Sequence, residues 1–357
     1  HQERYTLAIV TSPSEHQPQI NRAFVIRGKR DGQIVEMPLL EPAADEVRVK
    51  VAYVGICGSD LHYYFEGANG SFAIKEPLIP GHEISGRIDV DPLGEFSVGS
   101  PVAIFPAQAG VAISGLADRP HLWHGVRYMG SAATTPHTQG GMAQYINVKR
   151  SMIKLLPDGV SLSVGALAEP LAVALHGVHL AGDLTGKNVL VSGSGPIGLL
   201  SIVAARSVGA QSITATDLFD EALARAREVG ADSTINVGVE SLLENRFDVV
   251  LECSGSPRAV NSAIAAAQRG GVIVQIGMLG SGLHQIDFGA IVTKELRVNG
   301  AFRFNNEMDR ALKLLHEFPE FEKCISHTFD FAQVLDAFER AKDAQLSGKV
   351  LVALATD

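Results

Sequence analysis

A thiol, an imidazole and two carboxylates that could bind a metal occur in the first half of the chain. They belong to Cys57, His82, Glu83 and Glu169. Zinc binds cysteine sulfur, histidine nitrogen and carboxylate oxygen, and a catalytic zinc keeps three protein ligands and one open position. A lone cysteine in an apolar segment is usually a small buried hydrophobic residue. The accumulation of ligand types instead predicts a catalytic zinc at Cys57, His82 and a carboxylate.

Three polar side chains follow Cys57 within one short stretch, namely Ser59, Asp60 and His62. A carboxylate can orient a ligating histidine, and hydroxyl and imidazole groups can carry protons to and from a reacting alcohol. We therefore expect Ser59 and His62 to act in proton transfer and Asp60 to support the metal ligands.

A glycine-rich motif further along the chain follows the apolar run from Val189 to Val191 and leads directly into a helical pattern. In such a motif the first glycine makes a tight turn, the second lets the backbone approach a pyrophosphate, and the third allows close helix packing. This context predicts a dinucleotide site. Its residues are Gly193, Ser194, Gly195, Pro196, Ile197 and Gly198.

Asp217 ends the next predicted strand, where an acidic side chain accepts hydrogen bonds from a ribose 2′-hydroxyl. A carboxylate there repels a 2′-phosphate, and no arginine follows before Arg225, so charge favours NAD over NADP. The alternative for Asp217 is an ordinary helix N-cap. Gly277, at the end of a later predicted strand, is a further expected cofactor contact.

The first part of the chain is predicted to be mostly β, without a helix of ordinary length. Alternating residues indicate a half-buried strand over 46–53, with Arg48 and Lys50 on its exposed face. This strand ends at Gly55 and places Cys57 on the loop that follows. Further strands are expected at 21–26, 83–90, 101–105 and 143–148.

From about residue 166 apolar strands alternate with alanine-rich helices, which is typical of a parallel sheet covered on both faces. A helix over 307–317, a second helix containing Val334 and Phe338, and a closing strand over 349–354 follow, and this tail is predicted to rejoin the first domain. The six strands of the parallel sheet are predicted at 188–193, 212–217, 233–237, 247–253, 271–277 and 296–302.

Composition narrows the function classes. The 357 residues are 46% hydrophobic and carry a net charge of -9 with both signs interspersed, so no basic stripe is available for nucleic acid or an anionic membrane surface. No membrane-spanning stretch is predicted. The cysteines are only Cys57, Cys253 and Cys324, which excludes a disulfide framework and favours a reducing cytoplasm. Residues 1–20 are expected to form a loosely ordered leader.

The phrases Gly55–Asp60, Gly81–Glu83, Glu169–Leu171 and Gly193–Gly198 resemble those of the zinc-dependent medium-chain alcohol and polyol dehydrogenases. The resemblance implies an α/β fold in which a GroES-like β domain holds zinc and a doubly wound parallel-sheet (Rossmann) domain binds NAD. The expected divisions are residues 1–169 with 303–357 for the zinc domain and 170–302 for the nucleotide domain. The implied reaction is reversible alcohol oxidation, which a Lewis-acid zinc beside a nicotinamide suits.

Site roles also follow from this resemblance. Ser59 and His62 match proton-relay positions, and Asp60 matches the position that supports the ligating histidine. Glu169 stands where some members place a third zinc ligand, so either Glu83 or Glu169 could complete the metal site. Simultaneous ligation by both, together with a thiolate, would overcompensate the charge of Zn²⁺.

Many relatives bind a second, structural zinc through four cysteines on one lobe. The matching positions in this chain are Ala109, Ala112, Gly115 and Trp123. Without a thiolate a closed structural site is not expected, and the neighbouring histidines are interpreted as surface residues: His121, His124 and His137. We therefore predict one catalytic zinc and no structural zinc.

Further phrases resemble the L-idonate 5-dehydrogenase branch: Cys57–Tyr64, Gly130 with Ser131, Pro136 with His137, Ala168–His176 and Gly300–Phe304. They imply oxidation of L-idonate to 5-ketogluconate, with sorbitol or another polyol, or a zinc-free reductase, as alternatives. Arg303 is expected to bind a substrate carboxylate, and Tyr63, His137 and Glu169 to bind hydroxyls. An equally open role for Arg303 is a contact with cofactor or another chain. Relatives imply a dimer or tetramer that pairs through residues 296–302.

Overall fold

The computed structural model describes residues 19–355. Residues 1–18, which make up most of the predicted leader, lie outside this range, and Ile20 already begins a strand. Strands dominate the first half. In chain order they are β1 Ile20–Gly28, β2 Asp31–Pro38, β3 Glu46–Gly55, β4 Ala68–Asn69, β5 Phe72–Ala73, β6 Glu83–Val90, β7 Pro101–Ile104, β8 Ala107–Gln108, β9 Arg127–Tyr128, β10 Tyr145–Lys149 and β11 Ile153–Leu155.

Helices and strands alternate in the second half. The strands are β12 Asn188–Ser192, β13 Ser212–Asp217, β14 Ser233–Asn236, β15 Phe247–Glu252, β16 Ala267–Gln275, β17 Arg297–Gly300, β18 Ile325–Asp330 and β19 Lys349–Ala353. The α-helices are α1 Gly58–Glu66, α2 Leu162–Gly165, α3 Ala168–Ala181, α4 Pro196–Ser207, α5 Asp220–Glu228, α6 Pro257–Ala266, α7 Phe288–Thr293, α8 Met308–Glu317 and α9 Val334–Lys342. Short 3-10 helices span Pro120–Leu122, Arg150–Met152, Pro319–Cys324 and Phe331–Gln333.

The nucleotide domain contains the six-stranded parallel sheet that the sequence predicts. Its strand order is β14-β13-β12-β15-β16-β17, so the order reverses between β12 and β15. Successive residues of β12 face opposite helix layers: Val189 and Val191 pack in the core that includes α3 and α4, whereas Leu190 packs with α6. The continuous apolar run in this strand therefore reflects burial on both faces, and the doubly wound fold is confirmed.

The zinc domain is built on a seven-stranded sheet of order β11-β7-β6-β3-β19-β18, with β10 also paired to β3. The closing strand β19 lies antiparallel to β3, as Leu351 opposite Gly55 shows, so the C-terminal segment does rejoin the first part of the chain. The predicted division after residue 169 falls inside α3. Among residues 19–355, no helix has the length and apolar character needed to cross a membrane.

Two details of the predicted β region are wrong. A nine-residue helix, α1, follows β3, and Cys57 is its N-cap residue instead of a loop residue. The carboxylate of Asp60 accepts a hydrogen bond from the Cys57 backbone N–H at 2.9 Å, which is half of a capping box and starts the helix there. Arg48, predicted on an exposed face, is buried because it pairs with Asp89 at 2.6 Å and Glu41 at 3.1 Å.

The strand β17 lies at one edge of the six-stranded sheet, and no other strand of residues 19–355 pairs with its outer side. Its residue Val298 is 48% exposed, and an apolar residue on an open edge favours pairing with another chain. We expect this edge to join two copies, so Val298→Lys should lower the mass measured by light scattering to that of a monomer. The control Val239→Lys alters a residue that is 82% exposed and lies away from this edge. A monomeric wild-type protein would contradict the prediction.

Candidate active site

Three of the predicted metal ligands meet in the zinc domain. The sulfur of Cys57, a ring nitrogen of His82 and a carboxylate oxygen of Glu83 all lie within 4.8 Å of one another. The antiparallel pairing of β3 with β6 places Gly55 opposite Glu83, which brings the residues just beyond β3 to the start of β6. A Cβ atom on Gly55 would lie 2.0 Å from Glu83 Oε2, so only glycine leaves room for this carboxylate.

Asp60 holds together the two backbone segments that carry these ligands. Its fully buried carboxylate accepts one hydrogen bond from the Cys57 N–H and a second, of 3.0 Å, from the Gly81 N–H. Asp60 was expected to support the ligating histidine, and its contacts fix the backbone next to His82. Burial raises the pKa of Asp60, against the opposing charge of His82.

A buried lysine faces the metal-ligand cluster. Lys349 Nζ lies 2.8 Å from Glu83 Oε1 and 2.7 Å from Oε2, and it donates to the Ile56 carbonyl at 2.9 Å. Only the Oε1 contact has hydrogen-bond geometry, so the buried Oε2 atom is left without a hydrogen bond. This oxygen meets only the charge of Lys349. A buried carboxylate oxygen without a hydrogen bond is costly in a protein interior, and a bound cation would give it a second interaction.

The donor set fits zinc. Thiolate, imidazole and carboxylate are its usual ligands, and Cys57 is partly exposed, which gives access from solvent. Cys57, His82 and Glu83 would hold the metal. Glu169 is not a member of this group among the described residues.

Glu169 lies instead in the first turn of α3, where its buried carboxylate accepts a hydrogen bond from the Tyr128 hydroxyl. The ring of Tyr128 packs edge-on against His82, with ring centroids 5.4 Å apart. Burial, followed by the charge of Glu169, raises the pKa of Tyr128 well above its usual value. Glu169 thus lies beside the metal-ligand cluster as part of a tyrosine–carboxylate pair.

Arg303 covers the same tyrosine. Its guanidinium carbon lies 4.0 Å from the Tyr128 ring centroid and 4.7 Å from that of Phe302. The side chain is half-buried and makes no hydrogen bond and no ion pair within residues 19–355. Burial lowers the pKa of Arg303, yet a guanidinium stays charged at neutral pH. Its backbone has a φ of 51°, a left-handed conformation that costs a non-glycine residue about 1–3 kcal/mol.

The two predicted proton-transfer residues lie three positions apart on α1. Ser59 is half-buried and His62 is exposed, and His62 Nδ1 lies 3.1 Å from Glu66 Oε1. The two side chains make no hydrogen bond to each other in the described structure. Their spacing places them on one face of the helix, and their relay role stays a prediction.

Two of the residues expected to bind substrate hydroxyls, Tyr63 and His137, make hydrogen bonds to backbone groups. His137 is buried, its Nε2 accepts from the Lys75 N–H at 3.0 Å, and its Nδ1 lies 2.8 Å from the Thr134 carbonyl. Neither ring nitrogen of His137 is free, so we leave it out of the proposed substrate site. Tyr63 is also buried, and its hydroxyl accepts from the Ala132 N–H at 3.0 Å, which leaves its proton for another partner.

The glycine-rich motif connects β12 to α4 as predicted. Gly193 has a φ of 91°, Gly195 is the N-cap of α4, and Pro196 with Ile197 begins the helix. A Cβ atom on Gly198 would lie 1.9 Å from the Gly193 carbonyl oxygen, so the helix can approach the turn only with glycine there. This is the strand–turn–helix geometry in which a helix N-terminus can bind a phosphate group.

Asp217 ends β13 and faces this motif. One carboxylate oxygen accepts from the Ser194 N–H at 2.9 Å, and the other accepts from the Leu218 N–H at 2.7 Å. The N-cap of α5 is Phe219, so Asp217 does not cap that helix. Gly277 lies just beyond β16, on the other side of the point where the strand order reverses.

The lobe without cysteines is attached to the rest of the chain by polar contacts. The His121 ring packs against His176, with centroids 4.9 Å apart, and Asn305 donates to the Asp118 carbonyl at 2.7 Å. Of the three histidines interpreted as surface residues, only His124 is exposed, whereas His121 is half-buried and His137 is buried.

Comparison with known proteins identifies the family. Residues 43–158 match the alcohol dehydrogenase GroES-like domain and residues 196–317 match the zinc-binding dehydrogenase domain. The chain is 34% identical to sorbitol dehydrogenase of Bos taurus over 93% of its length and 96% of that protein. This chain belongs to the zinc-dependent medium-chain polyol dehydrogenases.

The structure of L-idonate 5-dehydrogenase from Escherichia coli is similar as well. It superposes with a TM-score of 0.89 at 32% identity, covering 94% of this chain and 99% of that one. Galactitol-1-phosphate dehydrogenase from Escherichia coli gives a TM-score of 0.82 at 32% identity, covering 93% and 99% of the two chains. These matches confirm the GroES-like and Rossmann fold of a medium-chain polyol dehydrogenase.

Two residues at the site of this polyol dehydrogenase were not predicted from the sequence. Lys349 reaches Glu83 across 266 positions of sequence, and Tyr128 lies on a two-residue strand far from any motif. The sequence offers one weak indication of a buried role for Lys349, its position as the first residue of an otherwise apolar strand. No sequence signal pointed to Tyr128.

The three thiols of the dehydrogenase should differ sharply in reactivity. Burial raises the pKa of both Cys253 and Cys324 to about 12, so about one molecule in 10⁴ would carry either thiolate near pH 8. Cys57 and Cys253 are both partly exposed and Cys324 is buried, so the difference expected between Cys57 and Cys253 depends on the raised pKa of Cys253. Iodoacetamide added to metal-free protein should label Cys57 alone by mass spectrometry, and added zinc should slow that labelling. Labelling of Cys253 or Cys324 in the folded protein would refute this expectation.

Proposed function

We propose that this protein oxidises a secondary hydroxyl of a sugar acid with NAD and zinc, with L-idonate to 5-ketogluconate as the specific reaction. The observation that carries the proposal is Arg303, a half-buried guanidinium that makes no protein hydrogen bond or ion pair in the described residues and packs on Tyr128 beside the metal-ligand cluster. Its hydrogen-bond donors are not used by the described protein groups, and a substrate carboxylate would pair with them in bidentate geometry.

The remaining groups suit hydride transfer from an alcohol. Zinc, when bound, supplies Lewis-acid polarisation of the reacting oxygen. Tyr128 fixes the Glu169 carboxylate next to His82, where Glu169 can accept a hydrogen bond from a substrate hydroxyl. Exposed His62 would release a proton to solvent, and Ser59, which is nearer to Cys57 along α1, would pass that proton to it. Three free cysteines suit a reducing compartment such as the cytoplasm.

A neutral polyol such as sorbitol is the second candidate substrate. Sorbitol dehydrogenases of several animals and of Bacillus subtilis are 32–34% identical to this chain, as similar as the L-idonate enzyme at 33%. With a polyol, Arg303 would donate to hydroxyl groups in place of a carboxylate. A zinc-free reductase would leave the Cys57, His82 and Glu83 cluster without a purpose.

NAD is the proposed cofactor. The Asp217 carboxylate lies against the glycine-rich turn, where it would accept hydrogen bonds from a ribose and repel a 2′-phosphate. The nearest candidate phosphate ligand, Arg225, already donates to the carbonyls of residues 344, 345 and 347 at 3.0–3.2 Å. Arg225 therefore connects α5 to the C-terminal segment through its Nη2 group.

The substrate proposal is tested with a panel of aldonates and polyols assayed by NADH absorbance, with and without a chelator. We expect turnover of L-idonate that the chelator abolishes. Arg303→Gln should raise KM for the aldonate about tenfold or more, the effect of losing a charge-assisted hydrogen bond, and Arg303→Lys should raise it less. The control Arg310→Gln alters an exposed arginine on α8. Turnover of sorbitol alone would replace the aldonate proposal with the polyol alternative.

The cofactor proposal predicts a shift in preference when the Asp217 charge is removed. Asp217→Asn should lower the ratio of kcat/KM for NAD to that for NADP about tenfold, because one charge repulsion with the 2′-phosphate is lost. Asp336→Asn, an exposed change on α9 with the same charge difference, serves as control. An unchanged ratio of kcat/KM for NAD to that for NADP would show that Asp217 does not distinguish the two cofactors.

A further inference from the structure

A second buried carboxylate, far from the metal ligands, lies in the nucleotide domain. Glu252 is the last residue of β15 and is fully buried. No lysine, arginine or histidine of residues 19–355 forms an ion pair with it. An isolated buried carboxylate is strongly unfavourable unless hydrogen bonds satisfy it.

Hydrogen-bond donors from three segments satisfy Glu252. Its Oε1 atom accepts from the Ser254 N–H at 2.9 Å, the Ser192 hydroxyl at 3.2 Å and the Ser254 hydroxyl. Its Oε2 atom accepts from the Gly255 N–H at 3.0 Å and the Gln275 side-chain amide at 2.5 Å. Gln275 also donates to the Gly277 carbonyl at 2.8 Å. One carboxylate thereby connects the carboxyl ends of β12, β15 and β16.

These three strand ends border the crevice where the strand order reverses. Between β12 and β15 the sheet opens for a ligand, as parallel sheets do at such a point. The segments there approach one another closely: a Cβ atom on Gly277 would lie 2.4 Å from the Gly255 nitrogen, and one on Gly193 would lie 2.9 Å from the Ser254 nitrogen. The wall of the crevice is therefore backbone, and its shape depends on the groups that Glu252 holds.

We propose that Glu252 is a positioning residue for the nicotinamide half of the dinucleotide. This inference depends on the proposed NAD-dependent function. Asp217 belongs to β13, on one side of β12, and marks the adenosine half, whereas the segments held by Glu252 follow β15 and β16 on the other side. Glu252 acts through the backbone of Gly255 and Gly277 and does not itself contact the ligand.

The test is the isosteric change Glu252→Gln. It replaces one carboxylate oxygen by an amide N–H donor, which then faces the donor groups that now bind this oxygen. We expect the Kd for NAD to rise about tenfold, the effect of losing one charge-assisted hydrogen bond. The Kd for AMP, which contains only the adenosine half, should stay within about twofold, a margin that corresponds to less than half a kcal/mol. Zinc content should not change. Glu240→Gln, an exposed change in the same domain, is the matched control.

A purely structural role would weaken AMP and NAD equally and lower the melting temperature, and that result would overturn the inference. If Glu252→Gln does not fold, Ser254→Ala removes one donor to the same carboxylate and should raise the Kd for NAD, by less than tenfold, with AMP binding retained. Unchanged NAD binding by the folded variants would also overturn it. Failure of the wild-type protein to bind NAD would overturn the proposed function and this assignment together.

Discussion

The ion pair between Glu83 and Lys349 is the contact on which the metal-ligand cluster depends. It connects β6 to β19, and Lys349 also holds the Ile56 carbonyl next to Cys57. A buried carboxylate beside a thiolate and a second carboxylate would be strongly repelled without a nearby cation. Lys349 supplies that charge. The carboxylates of Glu83 and Glu169 can therefore both lie near the zinc site without an excess of negative charge.

The candidate substrate groups come from both domains. Tyr128 and Glu169 belong to the zinc domain and the start of α3, whereas Arg303 follows the last strand of the nucleotide sheet and stacks on Tyr128. The left-handed backbone at Arg303 is a local strain that surrounding packing must offset. The cost is understandable if this conformation aims the guanidinium at the site between the domains.

Sequence reasoning succeeded where a local pattern has one physical solution. The apolar strands and glycine turns of the nucleotide domain predicted six strands and their helices, because a parallel sheet buried on both faces permits little else. It failed at α1, where a single Asp60 capping contact starts a helix within a β region. It also failed at Lys349 and Tyr128, because long-range pairing across β19 and β9 leaves almost no trace in neighbouring residues.

The 266 positions that separate Glu83 from Lys349 have a consequence for the newly made chain. During synthesis Cys57, His82 and Glu83 leave the ribosome first, and the cation that neutralises Glu83 follows only after the entire nucleotide domain. A partly made chain thus carries an acidic, thiol-containing segment without its counter-ion. The charge balance of the metal-ligand cluster is therefore complete only after the nucleotide-binding half has been made.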